Sequence, residues 1–563
     1  MSKNLKVTDG FIIVIMMLIA GCGLIYEYAI SHFAARVIGS MEIVIYSIIS
    51  IMIVSMGVGA FLAKKIKDPF VSFSILESLI AIIAVIGIFL ISGANTLAYE
   101  LPNIIAKTYN ISYDMSLKGG LLNTFELILS STSFIIAGIL GVLIGMEIPL
   151  MARIRESVHK KHLEHNAGMI YGADYIGAGL GAAVWIFVLL RMEISTSIAI
   201  VTATNVFSGF LFIAYFYKHI KKLKLVLSIQ VVSIFIIYFG CLNMVHWQDY
   251  LEDSLYKDPI VYSTNTKYQR IAITKAHDYV DNKDYYNFFI NGRTQFSEND
   301  EVIYHSLLTA PAILSSGDLK DVLVIGGGDG LAVRDILKYN PKSITLLDLD
   351  EEIIKLFKEP LYVEGKQINK SLLELNKYSF SDKRLNFILG DAFLNVRNLM
   401  RARKKFSTII IDLPDPSHPD LNKMYSKEFY KRLHYLLEEN GSMIAQSTSP
   451  YNAYKAFLSI KKTMKAAGFK NVEQLHENVP SFGQWGWTIA NKDQKSPSEK
   501  LKEINKNDIK SNWLTKDILL SSFEFGKNFY RHYDNIEVNR LGTGVTYNYY
   551  QNAWKNSILF NIE

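Results

Sequence analysis

The chain is 563 residues long, half of them hydrophobic, with a formal net charge of +6. That length allows several domains, and the cations cluster beside apolar runs, where they read as membrane-flanking charge before they read as a nucleic-acid face, so no nucleic-acid partner is expected. The two cysteines, Cys22 and Cys241, both lie inside apolar runs, which excludes a disulfide framework and a cysteine-rich metal site.

The hydrophobic excess lies in the first 245 or so residues. Runs long enough to cross hydrocarbon are predicted near 11–31, 41–63, 71–93, 126–149, 170–190, 194–217 and 224–244, about seven spans. The first, "MLIAGCGLIYEYAISHFAARVIG", continues without a clear cleavage site and reads as a retained helix, not a signal peptide. The basic loops "AKKIKD", "ARIRESVHKK" and "YKHIKKLK" follow the second, fourth and sixth runs. The other loops hold few cations, mainly Arg36, Lys107, Lys118 and Arg191. This bias puts the N-terminus and the three basic loops in the cytoplasm. An odd number of spans would then place the C-terminal half on the other side.

Glu27, Glu77, Glu126, Glu147 and Asp174 lie in or beside these runs. Acids there are costly, and they mark either a site or path for a cationic solute or inter-helix hydrogen bonding and the water boundary. Gly177 and Gly181, four apart among other small residues, predict close helix packing.

From about Trp247 the texture changes. "YQRIAITKA" and "YNFFINGRTQF" predict hairpins, the second closed by an Asn-Gly turn. Strands are then predicted at "DVLVIGG", "SITLLDLD", "RLNFILGDA", "STIIIDLPD" and "GSMIAQST". Helices are predicted between and after them, including "SKEFYKRLHYLLEEN" and "YNAYKAFLSIKKTMKAAG". The rhythm predicts a mostly parallel sheet covered on both faces, with ligands at the carboxyl ends of its strands. No separate function is assigned to the tail after Pro497.

Five acids fall at those ends: Asp329 after the first strand, Asp348 closing the second, Asp391 the third, Asp412 the fourth, and Asp415 just beyond. Some could be helix N-caps, a common role for Asp after a strand. An acid about twenty residues beyond a glycine loop also suits ribose hydroxyls. A dinucleotide would bring pyrophosphate to this loop, where Asp329 and Asp412 repel it. A cationic nucleoside without phosphate fits, which is the S-adenosylmethionine class. The decarboxylated form also lacks the carboxylate that Asp329 would oppose.

These residues resemble the spermidine synthase (polyamine aminopropyltransferase) family over roughly 260–490. The resemblance is carried by "YQ" (Tyr268, Gln269), "NGRTQFSENDEVIYH", "GGGDG" (Gly326 to Gly330), "LLDLD", "GDA" and "DLPDP". The apolar first half and "VPSFGQWGW" resemble its membrane-fused branch. By that resemblance Gln269 contacts the thioadenosine ligand, with Gly326 and Gly328 in the nucleoside loop. His305 and Asp329 line the amine and aminopropyl region. Asp348 holds the ribose, Asp391 and Ala392 the adenine, and Pro419 lies near the nucleoside. Asp412 matches the proton acceptor and Asp415 the second amine carboxylate. Family members usually carry Glu where this chain has Asp348, and Phe482 stands near where soluble members often have an amine-holding Tyr.

The implied organisation is an all-α multi-pass membrane domain over 1–245, a small β-rich part over 246–310, a Rossmann-like (class I methyltransferase-like) α/β catalytic domain over 311–500, and a C-terminal extension packed on it over 501–563. The implied activity is aminopropyl transfer from decarboxylated S-adenosylmethionine, the co-substrate, to an amine such as putrescine, with no metal and no prosthetic group. A primary amine with a pKa of about 10.4 is protonated at neutral pH and attacks only after losing a proton, so one acid must accept it. Asp412 takes that role and Asp415 orients the amine. The rivals are an S-adenosylmethionine-dependent methyltransferase and a polyamine transporter or sensor. The expected setting is a cell membrane and a homo-oligomer, with the membrane side of the catalytic domain left open.

Overall fold

The computed structural model describes residues 3–38, 41–108, 124–125, 127–129, 131–160, 166–363 and 365–559. Glu126 and Lys118 lie outside the described residues. The chain divides into two compact units, Met1–Lys257 and Asp258–Glu563.

The first unit is helical. Its long helices are α1 (Lys3–Ile38), α2 (Met41–Ala63), α3 (Pro69–Thr108), α4 (Thr132–His159), α5 (Asn166–Phe187), α6 (Ile194–Phe216) and α7 (Leu223–Leu255). Among the described residues seven helical stretches are long and apolar enough to cross a membrane, one for each predicted run. Small residues set the closest approaches. A Cβ on Gly177 would lie 2.2 Å from the Met17 carbonyl oxygen, and one on Gly181 would lie 2.5 Å from that of Gly21. Helix α5 therefore packs backbone to backbone on α1. Charge inside this unit is partly paired. Buried Asp9 accepts from Arg155 Nε at 2.8 Å and lies 2.9 Å from His159 Nε2. Glu27, Glu77 and Glu147 are also buried, and Asp174 is half-buried.

The second unit begins with an antiparallel sheet of β1 (Ile260–Asn265), β2 (Arg270–Asp278), β3 (Lys283–Ile290) and β4 (Arg293–Ser297), in that order. Asn291 and Gly292 take φ of 49° and 74° between β3 and β4. Positive φ at both central residues makes the tight turn that matches strand twist, which is why Asn-Gly stands there. Helix α8 (Glu301–Ser315) then leads into a second sheet.

That sheet contains β5 (Asp321–Gly326), β6 (Ser343–Asp348), β9 (Leu385–Leu389), β10 (Phe406–Asp412), β11 (Leu437–Gln446), β12 (Asn471–Val479) and β13 (Gly483–Asn491). Strands β7 (Tyr362–Val363) and β8 (Lys366–Gln367) form a separate small ribbon. The order is β12-β13-β11-β10-β5-β6-β9. The pairings from β9 to β11 are parallel, whereas β11–β13 and β13–β12 are antiparallel. The sheet is thus mixed. The predicted helix "SKEFYKRLHYLLEEN" is corrected: the helix spans Lys427–Leu436, and strand β11 starts at Leu437. Its apolar residues Leu436 and Leu437 are both fully buried, so periodicity could not mark the change. The chain builds outward from β5 through β6 to β9, then returns to β10 on the other side of β5. That reversal opens a crevice at the carboxyl ends of β5 and β10.

Candidate active site

The crevice begins with a close backbone contact. Gly326 pairs with Asp412 across β5 and β10. Its φ is +80°, and a Cβ there would sit 2.0 Å from the Asp412 carbonyl oxygen, so only glycine fits. Next to it, a Cβ on Gly328 would lie 2.9 Å from Asp348 Oδ2. The loop therefore runs directly beneath two of the strand-end carboxylates. Asp329 Oδ1 accepts from the Leu331 backbone N–H at 2.9 Å, and the Asp329 carbonyl accepts from Asn376 Nδ2 at 3.0 Å. These two bonds fix the acid at the exit of the loop.

Opposite stands α8. It carries Tyr304 and His305 one residue apart. The Tyr304 hydroxyl donates to Asp412 Oδ1 at 2.7 Å. One ligating atom each from His305, Asp329 and Asp412 lies within 4.8 Å of the others. His305 Nδ1 lies 2.9 Å from the Glu301 carbonyl oxygen and 2.9 Å from Glu301 Oε2. Glu301 is in turn gripped by Arg334, Nη1 to Oε1 at 2.7 Å and Nη2 to Oε2 at 2.9 Å.

The electrostatics follow from this packing. Burial lifts Asp329 to about 6, with Asp412 adding and His305 opposing. Burial also lifts Asp412, while His305 and the Tyr304 hydrogen bond hold it down. Burial would lower His305, but the bond to Glu301 and the charges of Glu301, Asp329 and Asp412 win and raise it to about 9. Burial would raise Glu301, but His305 and Arg334 bring it down to about 2. At neutral pH His305 is an imidazolium between three carboxylates. Asp329, Asp348, Asp412 and Asp415 are each half-buried, so a small solute can still reach them.

Asp415 lies further along the β10 exit. It accepts from Gln446 Nε2 and Thr448 Oγ1, each at 3.3 Å, and from the Tyr550 hydroxyl. Burial pushes it up to about 6, with Tyr550 and the Arg293 charge opposing. Arg293 Nη1 donates to Tyr550 Oη at 3.0 Å. Tyr550 comes from the helix Val545–Leu559, packed against Ala453 and Ala456.

On the nucleoside side, Asp348 Oδ1 accepts from the Asp350 backbone N–H at 2.9 Å, and burial, then the charges of Asp350 and Asp329, push it up to about 6. Asp350, not Asp348, is the N-cap of the helix that follows β6. Gln269 Nε2 and Thr266 Oγ1 donate to Asp350 Oδ2 at 3.0 and 2.6 Å. Gln269 is thereby held at the rim by the same turn that carries Asp348. Asp391 caps the helix Ala392–Arg401, accepting from Phe393 N at 2.7 Å, and it pairs with Lys423 Nζ at 2.6 Å. Burial raises it, but Lys423 outweighs burial and holds it below the usual carboxylate range. Ala392 opens that helix, and Pro419 opens the short helix Pro419–Asn422. Phe482 packs edge-on against Tyr304, ring centroids 5.8 Å apart.

The fold therefore gathers Asp329, Asp412 and His305 into one cluster. Asp348, Asp350 and Gln269 form a second group, while Asp391 is engaged in a cap and an ion pair. Sequence reasoning missed Tyr304, the Glu301–Arg334 pair, Arg293 and Tyr550. Tyr304 had a signal, since it precedes His305 in "VIYH". Tyr550 had none, because its partner lies in a distant loop.

The cluster has the residue types of a metal site. With Nδ1 held by Glu301, His305 protonated is a hydrogen-bond donor, and neutral it keeps Nε2 as its remaining ligand atom. The arrangement suits an organic cation that donates hydrogen bonds to carboxylates, with one raised acid available to accept a proton.

Comparison with known proteins gives the following. The spermine/spermidine synthase domain matches residues 301–503. A polyamine aminopropyltransferase of Shewanella oneidensis is 43% identical over 546 residues, covering 97% of this chain and 95% of that one. A polyamine aminopropyltransferase of Leptospira interrogans is 32% identical over 548 residues, covering 96% and 97%. A crystal structure of spermidine synthase in complex with the transition state analogue AdoDATO aligns with 49% of this chain and 88% of its own, at 23% identity and a TM-score of 0.42.

Proposed function

Because the chain belongs to the polyamine aminopropyltransferase family, we propose that it moves the aminopropyl group of decarboxylated S-adenosylmethionine onto putrescine, giving spermidine and methylthioadenosine. The observation that carries this reading is the cluster of Asp329, Asp412 and His305 with Tyr304 bound to Asp412. It provides negative charge for cationic substrates and an acid whose proton affinity is raised.

The nucleoside lies along the glycine loop with its ribose toward Asp348. Its aminopropyl arm, which ends in an ammonium, points to Asp329. The acceptor amine sits between Asp412 and Asp415, and Asp415 orients it. The amine gives one proton to Asp412, and its lone pair attacks the aminopropyl carbon bonded to the sulfonium. The C–S bond breaks with its electrons going to sulfur, so the leaving group is a neutral thioether. Charge passes from sulfur to nitrogen, and alignment of the two reactants supplies much of the rate. A base with a raised pKa takes the proton better than an ordinary carboxylate does. His305, fixed as an imidazolium, limits the net negative charge so that the carboxylates can stay ionised together.

Gln269, Asp391, Ala392 and Pro419 are assigned to the nucleoside rim. Lys423 would have to share or release Asp391 for that acid to meet adenine. Incubating the full-length protein with putrescine and either nucleoside tests the reading. Spermidine and methylthioadenosine are expected from the decarboxylated form alone. Methyl transfer from intact S-adenosylmethionine would reject it.

The helical unit is assigned to a lipid bilayer. Its helices present large apolar side chains outward, such as Phe61 at 82% exposure and Phe187 at 68%. In water such a surface opposes solubility at about 25 cal/mol per Å², whereas lipid accepts it. A reporter fused after Glu563 reads which side the catalytic unit occupies.

A further inference from the structure

Four helices of the first unit bring polar groups to one buried place. Tyr26 and Cys22 come from α1, Glu77 from α3, Glu147 from α4 and Asn205 from α6. Glu77 and Tyr26 are 0% exposed, Asn205 1% and Glu147 2%. The carboxylates of Glu77 and Glu147 lie within electrostatic range of each other, and both act on Tyr26 and Cys22. Asn205 Nδ2 donates to Glu77 Oε2 at 3.3 Å.

Hydrogen bonding around this place is uneven. On the α7 side the side chains are satisfied: Ser78 donates to Gln230, and Gln230 Nε2 donates to the Val206 carbonyl at 3.1 Å. By contrast, Glu77 Oε1, Asn205 Oδ1 and the Tyr26 hydroxyl are buried without a hydrogen-bond partner among the described residues. Buried polar atoms are ordinarily paired, and leaving one unpaired costs about 1–3 kcal/mol. Glu77 Oε1 and Asn205 Oδ1 are acceptors, so they call for a donor. Gly209 packs close to this place: a Cβ there would meet Glu77 Cβ and Gln230 Nε2, each at 3.4 Å.

We propose that Glu77, Glu147, Asn205 and Tyr26 form a cation-binding site inside the helical unit, and that its ligand is a protonated primary amine. The ligand set argues for that class. Calcium takes six to eight oxygens and magnesium keeps several waters in an octahedral shell. This place offers two carboxylates, one amide oxygen and one phenol. A transition metal prefers imidazole or thiolate, and the Cys22 thiol donates to the Val201 carbonyl at 3.8 Å. An ammonium has three N–H donors and needs three acceptors. Glu77 Oε1, Asn205 Oδ1 and the Glu147 carboxylate supply them, with Tyr26 beside them. A buried acid between membrane-length helices marks a solute site or path when a counter-charge can reach it. The site is separate from the catalytic cluster and does not depend on the chemistry assigned there.

The test is equilibrium binding of radiolabelled putrescine to the full-length protein in lipid nanodiscs, alongside aminopropyl transfer by the same samples. Wild type is expected to show two classes of site. Glu77→Gln and Glu147→Gln should each remove one class, with transfer kinetics unchanged. Asn205→Ala, which deletes only a neutral acceptor, should weaken that class on the order of ten-fold, and it carries the test if the glutamine variants do not fold. Binding that all three variants leave intact overturns the proposal. So does sodium or potassium displacing putrescine from that class at equal concentration, since the site would then take inorganic cations.

Discussion

Replacing Tyr304 by Phe should move the pH dependence of catalysis. The Tyr304 hydroxyl donates to Asp412 Oδ1 at 2.7 Å from a ring that is 7% exposed. A hydrogen bond to an ionised group contributes about 1.5–3 kcal/mol. One pKa unit corresponds to about 1.4 kcal/mol. Deleting the hydroxyl should therefore raise Asp412 by about one to two units, in the direction burial already pushes it. An acid that accepts a proton works only when ionised. Raising its pKa shifts the acidic limb of the kcat profile to higher pH by the same one to two units. Well above that limb the rate should return toward wild type, because the base is stronger. The assay is methylthioadenosine release at saturating substrates across pH 5 to 10. A limb that stays in place, with a rate loss equal at every pH, would refute the reasoning and leave Tyr304 as packing for Phe482.

The other predictions concern selectivity, amine affinity and stability. Asp329→Asn removes the charge that opposes a carboxylate. It should narrow the kcat/KM preference for the decarboxylated nucleoside over S-adenosylmethionine by about ten-fold, taking an interaction of about 1–2 kcal/mol at a half-buried site; an unchanged ratio would remove Asp329 from recognition. Tyr550→Phe should raise KM for the amine several-fold and change kcat less, because the hydroxyl acts on Asp415 and not on the reacting atoms. Arg334→Met leaves buried Glu301 with His305 as its remaining partner and should cost up to about 3 kcal/mol, seen as a lowered melting temperature of the detergent-solubilised protein. The same group predicts a pH window. Glu301 is depressed from 4.5 to about 2, so its contribution is present above 4.5 and lost as pH falls through 2. His305 is raised from 6.5 to about 9, so its contribution is full below 6.5 and lost as pH rises through 9. Melting temperature should therefore fall between pH 7 and 10 in wild type, and less so in His305→Gln.

Much of this site was legible because strand ends are legible. Asp348 and Asp412 close apolar runs, Asp329 follows a glycine loop, and the parallel order of β5, β6, β9 and β10 brings those ends to one edge. The Asn-Gly turn likewise announced the β3–β4 hairpin. What was not legible depends on contacts between distant segments. Asp391 looked like the other strand-end acids, yet Lys423 and a helix N-terminus occupy it. Tyr550 reaches Asp415 from a segment with no motif. Strand β13 was hidden in a stretch of glycines and tryptophans, and its antiparallel partner β12 in a run rich in polar and charged residues. In the helical unit the seven apolar runs stood out by length. That Glu77, Glu147, Tyr26 and Asn205 face one another required the packing of four helices.

The central claim is that Asp412 accepts the proton of the attacking amine. Single-turnover aminopropyl transfer by Asp412→Asn, with methylthioadenosine binding measured on the same protein, tests it most directly. The account predicts nucleoside binding close to wild type and a transfer rate lower by about 10²–10⁴-fold. Transfer within a few-fold of wild type, with the acidic limb of the pH profile still in place, would contradict it.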